Sequence, residues 1–379
     1  MKKALAVIVI AVACVFVFLP QTAFADVMDD LNDGVSDGLD NIDFDGVNDV
    51  GDSFIGNFAE KVRQIINGEF DSAESFLQLL GSMFGDNVGK ILPQLISIFC
   101  VLVICGLTRS TSQGLISADT EKVISFVGIV VMLISVLSLV LETFSQVATL
   151  INQIAALADA AMPILLTLVI ASGGTVASGV CQPAMVMFST AVIGIVKNVI
   201  LPISVFALVF VVVSNLTENV RVNKMSQFLN NASGWLLGVT FMFFSAFTTV
   251  QGITAAKIDG VSFRAAKFAA KNYIPILGGY VSEGFDIVVA GSSLIKNAFG
   301  AVSMLLVFFM VARPLVSLLC VNLGLQAVAA VSEPLVDDKY VKILGGISKC
   351  LNFLSALVIA VAFMFCILTF IAISCGNAI

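Results

Sequence analysis

The chain has 379 residues, of which 59% are hydrophobic and 12% charged, and its mean hydropathy is +1.04. Soluble globular proteins average about 45–50% apolar and about 25% charged residues, so this chain has too little polar surface for a water-soluble fold and is predicted to be a membrane protein. It contains no histidine, which excludes histidine-based catalytic triads and removes the commonest metal ligand. We therefore expect neither an enzyme nor a bound cofactor.

The first 25 residues have the pattern of a cleavable signal peptide. Lys2 and Lys3 precede an apolar run, and Ala23-Phe24-Ala25 follows it as a small-residue cleavage site. An uncleaved membrane anchor is the alternative. Under either interpretation residues 26–90 are exported, and an acidic segment escapes the preference that keeps Lys and Arg in the cytoplasm.

Residues 26–52 form an Asp- and Gly-rich exported spacer, and residues 26–90 together carry a net charge of −12. The spacer contains oxygen side chains in the order of an EF-hand calcium loop, with Gly46 at the sixth position. The candidate ligands are Asn41, Asp43, Asp45, Asp49 and Asp52. A solvated acidic spacer without bound metal is the alternative.

Residues 53–90 are predicted to form an exported amphipathic helical hairpin. Apolar residues recur at helical spacing from Phe54 to Ile66, Gly68 interrupts the pattern, and a second apolar stripe runs from Phe76 to Phe84. This hairpin is expected either to lie on the membrane or to dock a partner.

The rest of the chain is predicted to be an all-α polytopic membrane domain with about eight transmembrane helices. Apolar runs of spanning or near-spanning length occur at 91–107, 123–141, 176–196, 199–216, 234–253, 298–312, 314–331 and 350–374. Two shorter or interrupted stretches, 161–175 and 274–297, are interpreted as re-entrant segments. If they also cross the membrane, the number of spans is ten.

Recurring Pro-Ile-Leu landmarks predict an internal repeat. Unit 1 covers 91–200, unit 2 covers 200–313, and a C-terminal half repeat of two spans covers 314–379. With re-entrant segments each unit crosses three times, so the units are inverted. The positive-inside rule favours this eight-span arrangement, which places the basic stretch Lys257–Lys271 in the cytoplasm and both termini outside.

The second interrupted segment contains the candidate ion-path residues. Glu283 and Asp286 are three residues apart and would share a helix face, with Lys296 as a counter-ion. An interfacial helix with solvated acids is the alternative. Lys197 and Arg313, which lie between predicted spans, are expected to snorkel to the interface.

The basic stretch Lys257–Lys271 is expected to bind anionic membrane lipids, and no nucleic-acid binding is expected. The eight cysteines all lie in apolar stretches without a Cys-x-x-Cys pair, so they are interpreted as small core residues.

Two sequences give the chain a resemblance to a known family. PILGGYVSEGFDIVVAGSSLIKNAFG at 275–300 and SEPLVDDKY at 332–340 resemble the stage III sporulation protein AE family. The resemblance covers roughly residues 90–379 and does not include the Asp-rich run 26–52. It implies a multi-pass protein of the mother-cell membrane around the engulfed forespore of endospore-forming bacteria.

The resemblance also implies partners. Family members are thought to belong to a multi-protein, secretion-like channel with other stage III A-operon products and the forespore's stage II protein Q, which keeps the forespore competent for development. This favours a membrane subunit of that channel as the function. The alternative is a stand-alone secondary transporter, or permease, that uses Glu283 and Asp286 as an ion site.

Overall fold

The computed structural model describes residue 42 and residues 44–55, 57–66, 73–112, 118–216, 223–273 and 278–375. The predicted signal peptide and nearly all of the acidic spacer, including Asn41 and Asp43, lie outside these residues. Within them every regular element is helical, which confirms the all-α prediction.

Two short helices precede six long ones. The short helices are α1 (Asp45–Ile55) and α2 (Phe58–Ile66), and the long ones are α3 (Ala73–Ser112), α4 (Ala118–Ala171), α5, α6 (Asn223–Tyr273), α7 (Gly278–Ser332) and α8 (Asp338–Ser374). Helix α5 joins α-helical segments Thr175–Val186, Ile193–Ile195 and Leu201–Leu216 through π-helical turns at Met187–Val192 and Val196–Ile200.

Each of α3–α8 contains a stretch long and apolar enough to cross a membrane, which confirms a polytopic membrane protein. The eight apolar runs of the sequence lie on these six helices because two pairs of runs are joined. Runs 298–312 and 314–331 are both part of α7, with Pro314 inside the helix. Runs 176–196 and 199–216 are both part of α5, whose π-turns lie beside Pro183 and Pro202, where proline removes a helical hydrogen bond.

The six long helices alternate in direction, as contacts at the two ends of the bundle show. At the Tyr340 end, Tyr340 Oη donates a hydrogen bond to the Ser125 carbonyl (3.0 Å), and Ser226 Oγ donates one to the Ala207 carbonyl (3.3 Å). At the Cys375 end, Lys296 Nζ donates to the Cys375 carbonyl, 2.5 Å away. Helices α3, α5 and α7 therefore run toward the Tyr340 end, and α4, α6 and α8 run toward the Cys375 end.

This alternation differs from the predicted eight-span orientation in two ways. Gly252 in α6 faces Ile371 in α8, so the basic stretch 257–271 and the end of α8 lie at the same end of the bundle rather than on opposite sides. Units 91–200 and 200–313 also run in the same direction, so the predicted inversion is not seen. The repeat itself stays a prediction.

The predicted interrupted segments are not separate re-entrant elements in the described residues. Residues 278–297 begin α7 as continuous helix, and the glycines in that part of the sequence do not break it. Most of 161–175 is the end of α4, and a tight turn at Ser172–Gly174 with Gly173 at φ 89° reverses the chain into α5. Packing within the bundle decides this continuity, and hydropathy alone did not show it.

Helices α1 and α2 pack onto the bundle through three phenylalanines. The ring centroids of Phe58 and Phe299 are 5.0 Å apart, and that of Phe44 lies 6.1 and 6.0 Å from Phe58 and Phe299. The side chain of Asn48 accepts a hydrogen bond from the Phe58 backbone N–H (2.9 Å), which ties α1 to α2. The segment predicted as a hairpin is thus divided among three helices: α1, α2 and the start of α3. Helix α3 continues without a break into the first apolar run.

The calcium-loop prediction is not supported by this geometry. Asp45, Asp49 and Asp52 lie within α1, so the second half of the candidate loop is helical, whereas EF-hand ligands at positions 5 to 9 come from a non-helical loop. Gly46 lies within this helix and faces Ala160 in α4, where a Cβ would make an ordinary contact at 3.4 Å.

The close contact at Gly106 gives a prediction for stability. A Cβ at Gly106 in α3 would lie 2.5 Å from the carbonyl oxygen of Leu335, a backbone atom in the α7–α8 connection. The substitution G106V is therefore expected to destabilise the protein by about 1–3 kcal/mol, because the two segments must separate. The transition temperature of the purified protein in detergent measures this.

The matched control is G89V on the same helix. Gly89 has open space around its Cβ position, so this variant carries the same cost of a β-branched residue in a helix without the collision. Equal transition temperatures for the two variants would contradict the packing role of Gly106.

Candidate polar stripe and buried lysine

Helix α4 carries a polar stripe on its exposed face. The members recur at spacings of three and four residues, which places them on one side of the helix. The polar members are Glu142, Ser145, Thr149, Asn152 and Asp159, the small residue Ala156 lies in line with them, and all six are exposed. The stripe is about 25 Å long at 1.5 Å per residue, which is close to the thickness of a bilayer's hydrocarbon core, about 30 Å.

The surface around the stripe is apolar. On the same helix, Val131, Ile134 and Leu141 are exposed on the side of the stripe nearer the Tyr340 end. On α6, Trp235 and Met242 are about 70% exposed in the half of the helix that leads to Gly252 at the Cys375 end. Large apolar side chains that face outward from a membrane protein are expected to contact lipid, so the polar stripe needs either water or another protein at the same depth.

The interior of the described bundle is filled with side chains. Helix α8 packs against α4, α5, α6 and α7. Its fully buried residues extend along most of its length: Ile343, Ile347, Leu351, Leu354, Leu357, Val358, Val361, Met364 and Phe365. Within the residues described, a water-filled path along the bundle axis is therefore excluded by packing.

Among the predicted site residues whose side chains the structure describes, only Lys296 lies in the core. Its side chain is fully buried, and its Nζ donates to the carbonyl of Cys375, the residue directly after α8. A helix C-terminus carries partial negative charge from its unsatisfied carbonyls, so the ammonium group is placed where that charge is. Lys296 thus fastens the end of α8 to α7.

The predicted partners of Lys296 lie elsewhere. Because residues 278–332 form one helix, Asp286 is about 15 Å from Lys296 along the helix axis, too far for a direct ion pair. The side chain of Glu283 is outside the part of the chain that the structure describes. The helix thus does not bring Asp286 together with Lys296.

Two further charges lie in the middle of continuous helices. Lys197 in α5 and Arg313 in α7 are both exposed, although the sequence interpretation placed them between spans, near the interface. Together with Glu142 and Asp159 they place charge on the outer surface of the bundle within its long helices, whereas Lys296 is a charge in the core.

Sequence reasoning missed the polar stripe and one pair of cysteines. The stripe could have been found, because Glu142 to Asp159 shows polar residues at heptad-like spacing in otherwise apolar text. The cysteine pair could not have been found. Cys181 Sγ lies 3.9 Å from Cys375 Sγ, and the two residues are 194 positions apart in the chain.

In the described residues, no group of three or more His, Cys, Asp or Glu side chains is arranged to hold a metal ion.

Comparison with known proteins identifies a similar family. The sequence profile described as "Stage III sporulation protein AE" matches residues 56–376. The chain is also 28% identical over 320 residues to "Stage III sporulation protein AE" of Bacillus subtilis (strain 168), covering 83% of this chain and 79% of that protein. No solved structure matches. The matched region begins just before α2 and leaves out the Asp-rich spacer.

Proposed function

Because the chain belongs to the stage III sporulation protein AE family, which gives it a role in sporulation, we propose that it is a membrane subunit of the mother-cell-to-forespore channel complex. In this proposal it lies in the mother-cell membrane around the forespore, with residues 26–90 and the C-terminus extracytoplasmic. Its partners are other stage III A-operon proteins and the forespore's stage II protein Q complex. The family is not a known enzyme family.

The observation that supports a channel role is the polar stripe on α4. The bundle core is filled, so solute cannot pass through the described part of one chain. A water-filled path must then lie between chains, and the side that lines it must be polar at membrane depth. The stripe is such a side: its members from Glu142 to Asp159 are all exposed.

A stand-alone transporter receives less support. It requires an ion site inside the chain, and Asp286, one of the acids proposed for it, does not reach Lys296 because about 15 Å of continuous helix separates them. A channel wall built from several copies or partners requires no such site.

Cysteine accessibility tests the proposal. In a chain whose native cysteines are replaced by serine or alanine, N152C and T149C are expected to react with a charged, membrane-impermeant thiosulfonate added to membranes of sporulating cells. The reason is that the stripe is in contact with water. Thiols that have reacted with the thiosulfonate are blocked. The protein is then denatured, and the thiols that remain are counted by their reaction with a maleimide-linked polymer.

The control is I134C on the same side of α4 but about five turns closer to the Tyr340 end, where Ile134 is 66% exposed among other exposed apolar residues and is expected to face lipid and stay unmodified. Protection of both stripe cysteines would contradict the water path and indicate that protein or lipid covers the stripe. Reaction of all three would mean that this part of α4 lies outside the membrane.

A further inference from the structure

Two buried thiols from distant parts of the chain meet at the Cys375 end. Cys181 lies in the second turn of α5 and Cys375 directly follows α8, and the relative exposures of their side chains are 3% and 1%. Their sulfur atoms are 3.9 Å apart. A disulfide bond is about 2.0 Å long, so the sulfurs need to move about 2 Å closer for the bond to form.

The surrounding contacts hold the two residues in place. The Cys375 carbonyl accepts the hydrogen bond from Lys296, and the Cys375 backbone N–H donates to the Ile371 carbonyl (2.9 Å). Cys375 itself has left the helical conformation, with φ −74° and ψ 141°. The cysteine is therefore positioned by its backbone while its side chain points toward α5.

We infer that Cys181 and Cys375 form a disulfide bond that ties the end of α8 to the start of α5. The bond forms by thiol–disulfide exchange with the disulfide of an extracytoplasmic thiol oxidoreductase. One cysteine thiolate attacks that disulfide and forms a mixed disulfide. The second then displaces the oxidoreductase, which leaves as a dithiol carrying the two electrons and, from solvent, the two protons that the cysteines lose.

The location of the pair agrees with such chemistry. Disulfides persist in extracytoplasmic compartments and not in the cytosol, and the Cys375 end is the end from which α3 starts, after the predicted exported segment. The inference rests on the proposed function in one point: the C-terminus, and with it the Cys375 end, must lie on the extracytoplasmic side. Because both thiols are buried in the folded bundle, exchange takes place before the end of α8 docks or while it is briefly undocked.

The pair is tested in full-length protein isolated from sporulating cells without reductant. A variant that retains only Cys181 and Cys375 is denatured with a maleimide-linked polymer, before and after reduction. No polymer addition before reduction and two additions after it are the expected result. Two additions before reduction would overturn the inference.

A control variant retains only Cys181 and Cys350. Cys350 is also buried, but it lies about 37 Å from Cys375 along α8, so two additions are expected with and without reduction. Should the two-cysteine variants accumulate poorly, peptide mapping of the unreduced wild-type chain decides the question. A linked peptide pair containing Cys181 and Cys375 supports the bond, and both peptides in thiol form overturn it.

The outcome is independent of the stripe experiment. A disulfide without a water-exposed stripe would leave the orientation intact while the channel wall is wrong. A water-exposed stripe without a disulfide would support the channel wall and overturn the inference about the two cysteines.

Discussion

Replacing Lys296 with glutamate is expected to prevent stable accumulation of the protein in the membrane. The lysine is fully buried, and its ammonium group donates to the Cys375 carbonyl at the C-terminal end of α8. In K296E a carboxylate would stand, without access to water, beside carbonyl oxygens that carry the negative end of the helix dipole. Leaving a buried charge without its partner costs about 3–5 kcal/mol, a large share of the stability of a typical domain.

The amount of protein in isolated membranes and its transition temperature in detergent measure the effect. Two controls separate the sign of the charge from other causes. K296M keeps the length of the side chain without a charge, so it loses one hydrogen bond and is expected to cost about 1–3 kcal/mol, less than glutamate. K349E places the same charge change at an exposed position of α8 and is expected to change neither quantity. Normal accumulation of K296E would show that this side chain reaches water.

The sequence allowed the position of Lys296 to be predicted but not its partner. A lysine within an apolar run is a candidate for function because charge is costly in a bilayer, and that argument needs no structure. The partner lies 79 residues further along the chain, at the end of another helix. Local spacing instead suggested Glu283 and Asp286, which are three residues apart and would share a helix face, with Lys296 nearby in the sequence as their counter-ion.

The helices themselves were predicted well, while the continuity of two of them was not. Apolar composition located every long helix, since a run of about 20 apolar residues is needed to cross a bilayer. Lys197 and Arg313 with Pro314 divided two of these runs in the sequence, because polar residues and proline usually mark loops. In the structure both charges are exposed on continuous helices, where packing of the neighbouring helices maintains the helical backbone.

The division also affected the interpretation of the topology. Counting each half of α5 and α7 as a separate crossing reversed the predicted direction of the segments between them. The basic stretch 257–271 was consequently placed on the side opposite the C-terminus. Contacts between α6 and α8 at Gly252 and Ile371 place this stretch and the end of α8 at one end. Each added crossing reverses the direction of the segments that follow it. Counting α5 as two crossings therefore led to the prediction that the second unit is inverted relative to the first.

The position of the carboxylates on α4 leads to the strongest prediction about activity. Substituting both Glu142 and Asp159 with leucine is expected to abolish formation of heat-resistant spores in the bacterium that carries the gene, to the level of a strain without it. An exposed Asp or Glu at the centre of a bilayer is unfavourable by about 3 kcal/mol, so the leucine variant is expected to accumulate normally. Loss of activity with unchanged protein would then reflect loss of a hydrated, negatively charged surface.

Three comparisons decide what the stripe supplies. E142Q with D159N keeps the surface polar and removes its charge, so activity in this variant would mean that hydration suffices. E333L changes an exposed acid in the α7–α8 connection, away from the stripe, and is expected to form spores normally. If the double leucine variant also forms spores normally, the stripe is not a channel wall. In that case the conducting path lies among the partner proteins, and this chain serves as their membrane anchor.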